Sequence, residues 1–515
     1  MRPRTLIVVS AITVVALVAV VAVFATRGPT GGSTHAASPT PSIDEGATAT
    51  ETEAPASDPD AVDPDATDPD AASAGGESGD PDGGEGTVER LQALAEAKAD
   101  GTFGVAGSIP RTATPGWAGE RVVSRHYDDW EPAIAADPNA PFVYRLVTRY
   151  GGPRACPSDC PDPAIILQVS KDGGRSWGPF RFICTCKGTP GMYDPEIEVA
   201  DDTGVVEAAF MRGYSVWFTS SADHGKTWRK PVPVYGRVAW QDKPVIASSA
   251  DGQDVYVAFN GPSGGDAFVA FSHDGGRTWK QRRATDSPRY FYAFGGQVLS
   301  DGTVVFSESD VKYSGEGRGL KGASRQVVLR STNGGHSWTK VIVDSLQLGK
   351  SCKTHGCPPD YYDGHVALGM DGSDRLVLLA DGALKARGIR RVWAWTSTDG
   401  GAHWTSRVRL STGDANAGFP AAVGRGSAFR VWYMSRQTGR WNTFYRTSTD
   451  GIIWTTAVKI SDATGGAHYI TPTGFREAYG DYGEIDVTNL GKTVAVWGEG
   501  ASYPGPGGVW FNRGT

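Results

Sequence analysis

From residue 131 onward, short apolar runs broken by Gly, Asp and Ser recur along the chain, and the first four show what they build. Residues 131–137, 142–147, 164–169 and 180–183 have strand length, β-type composition and turn residues between them. Four such strands in succession predict one blade of a propeller. Further first strands are expected to begin at Asp194, Asp242, Asp363, Phe419 and Asp481 and near Phe294, which gives seven in all. The seventh unit continues through Thr493-Val-Ala-Val-Trp497 and Gly508-Val-Trp-Phe511 and then lacks a fourth strand. Its substitute is expected at the other end, where Trp117-Ala-Gly-Glu-Arg-Val-Val-Ser124 aligns with Trp177-Gly-Pro-Phe-Arg-Phe-Ile183. The expectation is an all-β, seven-bladed β-propeller over residues 117–515, closed by an N-terminal strand that removes a free sheet edge.

Third strands of the units run into one motif. It reads Ser170-Lys-Asp172-Gly-Gly174-Arg-Ser176-Trp177 in the first unit and recurs at residues 221–228, 272–279, 331–338 and 397–404. A sixth copy, Ser448-Thr-Asp450-Gly451-Ile-Ile-Trp454, is one residue short and lacks the second glycine. Serine and aspartate can bond to backbone N–H groups of their own turn, glycine supplies positive φ, and tryptophan closes a lid. A residue needed to build every blade is not free for chemistry, so all six read as structural. The motif resembles the Asp box of the bacterial neuraminidase repeat, found in sialidases and related secreted propellers. That resemblance implies a sialidase-like fold and a carbohydrate substrate class. The sialidase domain it implies has six blades, however, and seven blades resemble other Asp-box propellers.

The amino terminus is of another kind. Residues 6–25 are uncharged and apolar, about 30 Å if helical, between Arg4 and Arg27. They read as an uncleaved membrane anchor, with a cleaved signal peptide (segment 1–27) as the rival; both place the rest outside the cytoplasm. Residues 28–86 form a disordered Asp/Pro/Ala/Thr-rich spacer with fourteen acids and no Lys or Arg, which more than accounts for the formal net charge of −7. The propeller is therefore close to neutral, and nucleic acid is excluded as a partner. Residues 87–116 read as a short helix and lead-in. The six cysteines come in close pairs, Cys156 with Cys160, Cys184 with Cys186 and Cys352 with Cys357, and all are expected in disulfides. Cross-pairing of the first two sets is favoured, with Cys352 and Cys357 closing a small loop. Zinc held by the first four is the alternative, although their spacings do not match the usual finger patterns; otherwise neither a metal nor a cofactor is expected.

Candidate chemistry lies where one blade's last strand leads into the next blade's first. Those junctions pair an aromatic with an acid: Trp130-Glu131, Tyr193-Asp194, Trp240-Gln-Asp242, Tyr361-Tyr-Asp363 and Asp481-Tyr482. Aromatic faces stack on sugar C–H surfaces and carboxylates accept sugar hydroxyls, so the set reads as a carbohydrate funnel. The alternative is that the acids cap turns and the aromatics pack between blades. Arg212, Arg387 and Arg436 follow second strands and are candidates for clamping a carboxylate. The Phe/Tyr-Arg-Ile-Pro motif implied by the sialidase resemblance is absent, and Gly364-His365-Val366 stands where the activating glutamate would be. Tyr482 with Glu484 is the remaining nucleophile–carboxylate pair. The expected function is binding of a surface or environmental glycan, with an exo-sialidase-like hydrolase and a protein-interaction scaffold as alternatives.

Overall fold

The computed structural model describes residues 52–53 and 114–515, except 125–126, 151–160, 189–190, 236–240, 262–264, 286–288, 314–319, 349–363, 440, 462–476 and 501–506. It is an all-β propeller of seven sheets. Blade I is built from Asp128–Ala136, Val143–Tyr150, Ala164–Ser170 and Arg181–Phe182, paired in that order. Blades II to VI repeat the meander, with innermost strands Met192–Val199, Asp242–Ser248, Tyr290–Val298, Val366–Met370 and Ala417–Arg425. Blade VII has Glu477–Val487, Thr493–Gly500 and Gly507–Arg513, and its outermost strand is Arg121–Val122, antiparallel with Arg121 opposite Phe511. Of the proposed spacer only Thr52–Glu53 is described, parallel to Thr339–Gln347 in blade IV. The apolar segment 6–25 lies outside the described residues, among which no helix is long and apolar enough to cross a membrane.

No single core exists. Each of the seven neighbouring pairs of blades shares its own apolar slab, and the pair VII–I packs Val494, Val496 and Phe511 on Ile134, Val143 and Ile166. Strands sandwiched on both faces lose their alternation: every residue of Asp128–Ala136 and Val143–Tyr150 is buried. Side-chain size follows the taper toward the axis. Innermost strands supply Ala133, Ala247, Ala293, Ala367 and Ala421, while Trp395, Trp432, Trp497 and Trp510 fill the wider gaps outside.

The motif turns carry one hydrogen-bond set throughout. In the third, Ser272 Oγ donates to Asp274 Oδ1 (2.7 Å) and accepts from Gly276 N (2.9 Å). The sixth keeps both bonds, with Gly451 N donating to Ser448 Oγ at 2.8 Å, although it is a residue short. Gly276 sits at φ 73° with Phe218 of blade II against it, so a side chain there meets both strain and a ring. The backbone N–H and hydroxyl of Thr227 hold the Asp223 carboxyl below the usual carboxylate range.

One cysteine expectation is corrected. Cys184 bonds Cys186, not a member of the 156/160 pair. The chain doubles back at Cys186, whose φ is 33°, and brings the two Cα atoms to 5.2 Å, inside the span a disulfide needs. Cys156, Cys160, Cys352 and Cys357 lie outside the described residues.

Candidate functional site

Six of the seven innermost strands break register at the same point, near the mouth of the central channel: between Trp130 and Ala133, Tyr193 and Glu196, Asp242 and Val245, Ala293 and Gly296, Gly418 and Ala421, and Tyr479 and Glu484. Four of these bulges hold a non-glycine residue with positive φ followed by proline: Glu131 (49°), Asp194 (48°), Lys243 (52°) and Phe419 (53°). The proline fits because a bulge leaves one ladder position unpaired. A left-handed residue with a large side chain costs about 1–3 kcal/mol and persists only where its surroundings enforce it.

The bulge backbone repeats; the side chains do not. In blades I to III the residues are charged and linked around the axis. Glu131 Oε2 accepts from Asp194 N at 3.1 Å, and Lys243 Nζ lies 3.9 Å from Asp194 Oδ1. In blades IV to VI the corresponding stretch is aromatic. The His365 ring lies 4.4 Å from Phe419 and 5.6 Å from Phe294, and Trp441 stands edge-on to Phe419 at 6.5 Å. Buried Asp381 organises this half, accepting from Gly364 N (2.7 Å), His365 N (3.0 Å) and Phe419 N (3.0 Å). Glu131, Asp194, Lys243, His365 and Phe419 are buried, while Phe294 and Tyr193 are half-exposed.

Several residues singled out from the sequence can be placed. Trp130 is 1% exposed, packs against Tyr150 of its own blade at 6.3 Å and donates Nε1–H to Asp128 Oδ1 at 2.5 Å, so its ring is used inside the fold. Asp242 is buried beside Lys243. The Arg212 guanidinium covers the Trp217 ring of its own blade at 4.4 Å, whereas Arg387 and Arg436 are exposed on blades V and VI. Trp240, Tyr361 and Asp363 lie outside the described residues; Asp481 and Tyr482 fall on the innermost strand of blade VII, without described side chains.

Glu484 opens onto a feature that sequence reasoning missed. The channel holds a cavity of about 720 Å³, and one wall is a ladder of carboxyl groups, Glu196 and Glu198 from blade II with Glu484 and Asp486 from blade VII. Glu196 and Glu484 lie close enough across the face of blade I to influence each other's charge. Glu484 Oε2 also accepts from Ile134 N at 2.5 Å, and Asp486 Oδ2 from Ala136 N at 2.6 Å, satisfying backbone donors on the inner edge of blade I. Burial pushes Glu196 up to about 7 and Asp486 up to about 6, and burial with neighbouring like charge pushes Glu198 and Glu484 well above the ordinary range. The signal was present: Glu-Ile-Glu at 196–198 and Glu-Ile-Asp at 484–486 put acids two apart on strands already assigned as innermost, hence on one face. Among the described residues no group of three or more His, Cys, Asp or Glu is arranged to hold a metal ion.

No protein-family model matches the chain, and no curated protein does. Solved structures similar in fold include a protein of unknown function from Dyadobacter fermentans (13% identity, TM-score 0.45, 78% of this chain and 99% of that one). Another is an ulvan lyase of a polysaccharide lyase family (12%, TM-score 0.43, 77% and 95%). A third is the intramolecular trans-sialidase of Ruminococcus gnavus (11%, TM-score 0.38, 64% and 94%).

Proposed function

We propose that the protein is a carbohydrate-recognising propeller that takes a surface or environmental glycan at the mouth of its channel, displayed outside the cytoplasm by its N-terminal segment. The observation that carries this reading is the broken symmetry of the mouth: one bulged backbone repeated around the axis, with charged side chains in blades I to III and aromatic ones in blades IV to VI. A ring serving closure alone would repeat its side chains as it repeats its backbone. A polar side opposite rings that stack on C–H surfaces is what a sugar needs. In this reading the buried Glu131–Asp194–Lys243 chain and Asp381 are positioning groups, and half-exposed Phe294, Tyr193 and Arg212 meet the ligand.

An exo-sialidase-like hydrolase is the second reading, favoured by the carboxyl pair in the cavity. Burial and, after it, Glu196 push the Glu484 carboxyl well above the ordinary range, the direction a general acid needs; activating Tyr482 as nucleophile needs a base instead. A glycan array run beside a fluorogenic sialoside assay separates the readings. Phe294→Ala or Tyr193→Ala is expected to weaken glycan binding roughly three- to tenfold, the value of one stacking contact. Turnover abolished by Tyr482→Phe establishes the hydrolase, and no retained glycan leaves a protein partner.

A further inference from the structure

Cys184-Thr185-Cys186 puts one residue between two bonded sulfurs, in the connection from Arg181–Phe182 at the rim of blade I to Met192–Val199 at the inner edge of blade II. The backbone on either side is held without that bond. Ile183 N donates to Ile165 O at 3.4 Å and Met192 N donates to Pro163 O at 2.8 Å, so both ends of the connection are pinned to blade I. A ring that spans three residues also removes little freedom from the unfolded chain. What the bond does impose is strain: it holds Cys186 at φ 33°, a left-handed conformation that residues with a side chain rarely adopt. Both cysteines are half-buried at the edge of the I–II slab, whereas Thr185 between them and Lys187 and Gly188 after them are exposed. Strained disulfides within reach of solvent are the ones that exchange with thiols, and unstrained ones that brace a fold resist exchange.

We propose that the Cys184–Cys186 bond is a thiol–disulfide exchange site whose substrate is a protein dithiol. The two sulfurs are not equivalent. Cys186 N donates to Cys184 Sγ at 3.1 Å, and a hydrogen bond of that kind favours the thiolate, which makes Cys184 the leaving group. A thiolate of the partner attacks Cys186 Sγ, the S–S bond breaks, and its electron pair leaves on Cys184 Sγ; a mixed disulfide then joins Cys186 to the partner. The partner's second thiolate attacks the partner's own sulfur in that mixed disulfide, and the electron pair leaves on Cys186 Sγ. Two electrons and two protons have passed from the dithiol, which is now a disulfide, to Cys184 and Cys186, which are now thiols. Breaking the bond frees residue 186 to return to negative φ, so release of strain favours the reduced form. Ile183 N and Met192 N keep their carbonyl partners throughout, so the propeller stays closed in either state.

The test holds the full folded chain in about 5 mM reduced and about 0.5 mM oxidised glutathione, a mixture that leaves bracing disulfides intact. After an acid quench and alkylation, peptide mapping reads the peptide that carries Cys184 and Cys186, and a parallel sample is melted. Alkylation of that peptide is expected to rise at least about tenfold over protein kept without thiol, with the melting temperature within a few degrees of the oxidised form. The double variant Cys184→Ser, Cys186→Ser is expected to lose that increment of released thiol and to keep its fold. Two results overturn the site: a pair that stays oxidised in this buffer until the propeller unfolds, or a reduction that lowers the melting temperature by about ten degrees or more and so shows the bond to be a brace.

Discussion

The motif turns and the channel wall both depend on carboxyl groups, and they use them in opposite ways. In the turns, Asp172, Asp223, Asp274, Asp399 and Asp450 accept backbone and hydroxyl donors from their own few residues and are held below the usual carboxylate range. In the channel, Glu196, Glu198, Glu484 and Asp486 are pushed upward by burial and by each other. Their contributions to stability run opposite ways with pH. The turn carboxylates stabilise above about pH 4 and lose that as pH falls; the channel carboxyls stabilise at low pH and lose it as pH rises through neutrality. The motif turn is built in six of the seven blades and therefore repeats, whereas the channel wall is made once, from two blades.

The largest effect expected from breaking this arrangement is at the ring itself. Deleting residues 117–124 removes Arg121–Val122 from the edge of Gly507–Arg513 and takes buried Trp117 out of the VI–VII slab. An open edge and an exposed slab together should lower the melting temperature by ten degrees or more. A truncated protein that melts like the parent would show that the two-residue strand does not close the ring.

A smaller effect separates the two regions directly. Ser272→Ala orphans Gly276 N within its turn and should cost about 1–3 kcal/mol in urea unfolding at any pH between 5 and 8. Glu198→Gln removes a like charge from the ladder and should be neutral at pH 5 and stabilising by on the order of 1 kcal/mol at pH 8. A destabilising Glu198→Gln at pH 8 would erase the contrast.

How far the sequence could be read depended on the same division. Strand boundaries in blade I fall within a few residues of expectation, 131–137 against Asp128–Ala136 and 164–169 against Ala164–Ser170, because turn chemistry and apolar runs are local. The funnel was harder. Trp130 reads the same in sequence whether it faces a sugar or Tyr150, and only burial tells them apart. Lys243 and Phe419 carried no signal, since their importance lies in positive φ at a bulge whose position depends on pairing with the next strand. Glu196 and Glu484 are almost three hundred residues apart, and nothing short of ring closure makes them neighbours.

The smallest expected effect concerns the cysteines. Cys184 and Cys186 are two apart in sequence, so their bond closes about the shortest loop a disulfide can. Constraint on the unfolded chain grows with loop length, and for three residues it amounts to about 1.6 kcal/mol at most. The pair stands just after Arg181–Phe182, the outermost strand of blade I, where both residues pack at the edge of the I–II slab without lying inside it. Replacing both with serine therefore costs little beyond that entropy, and the melting temperature should drop by no more than a few degrees. The channel should not notice: glycan binding and the pH dependence of melting are expected to match the parent. If the double serine variant instead loses the fall in melting temperature between pH 5.5 and pH 8, the outer rim of blade I is coupled to the ladder, and the separation of the two carboxyl populations fails.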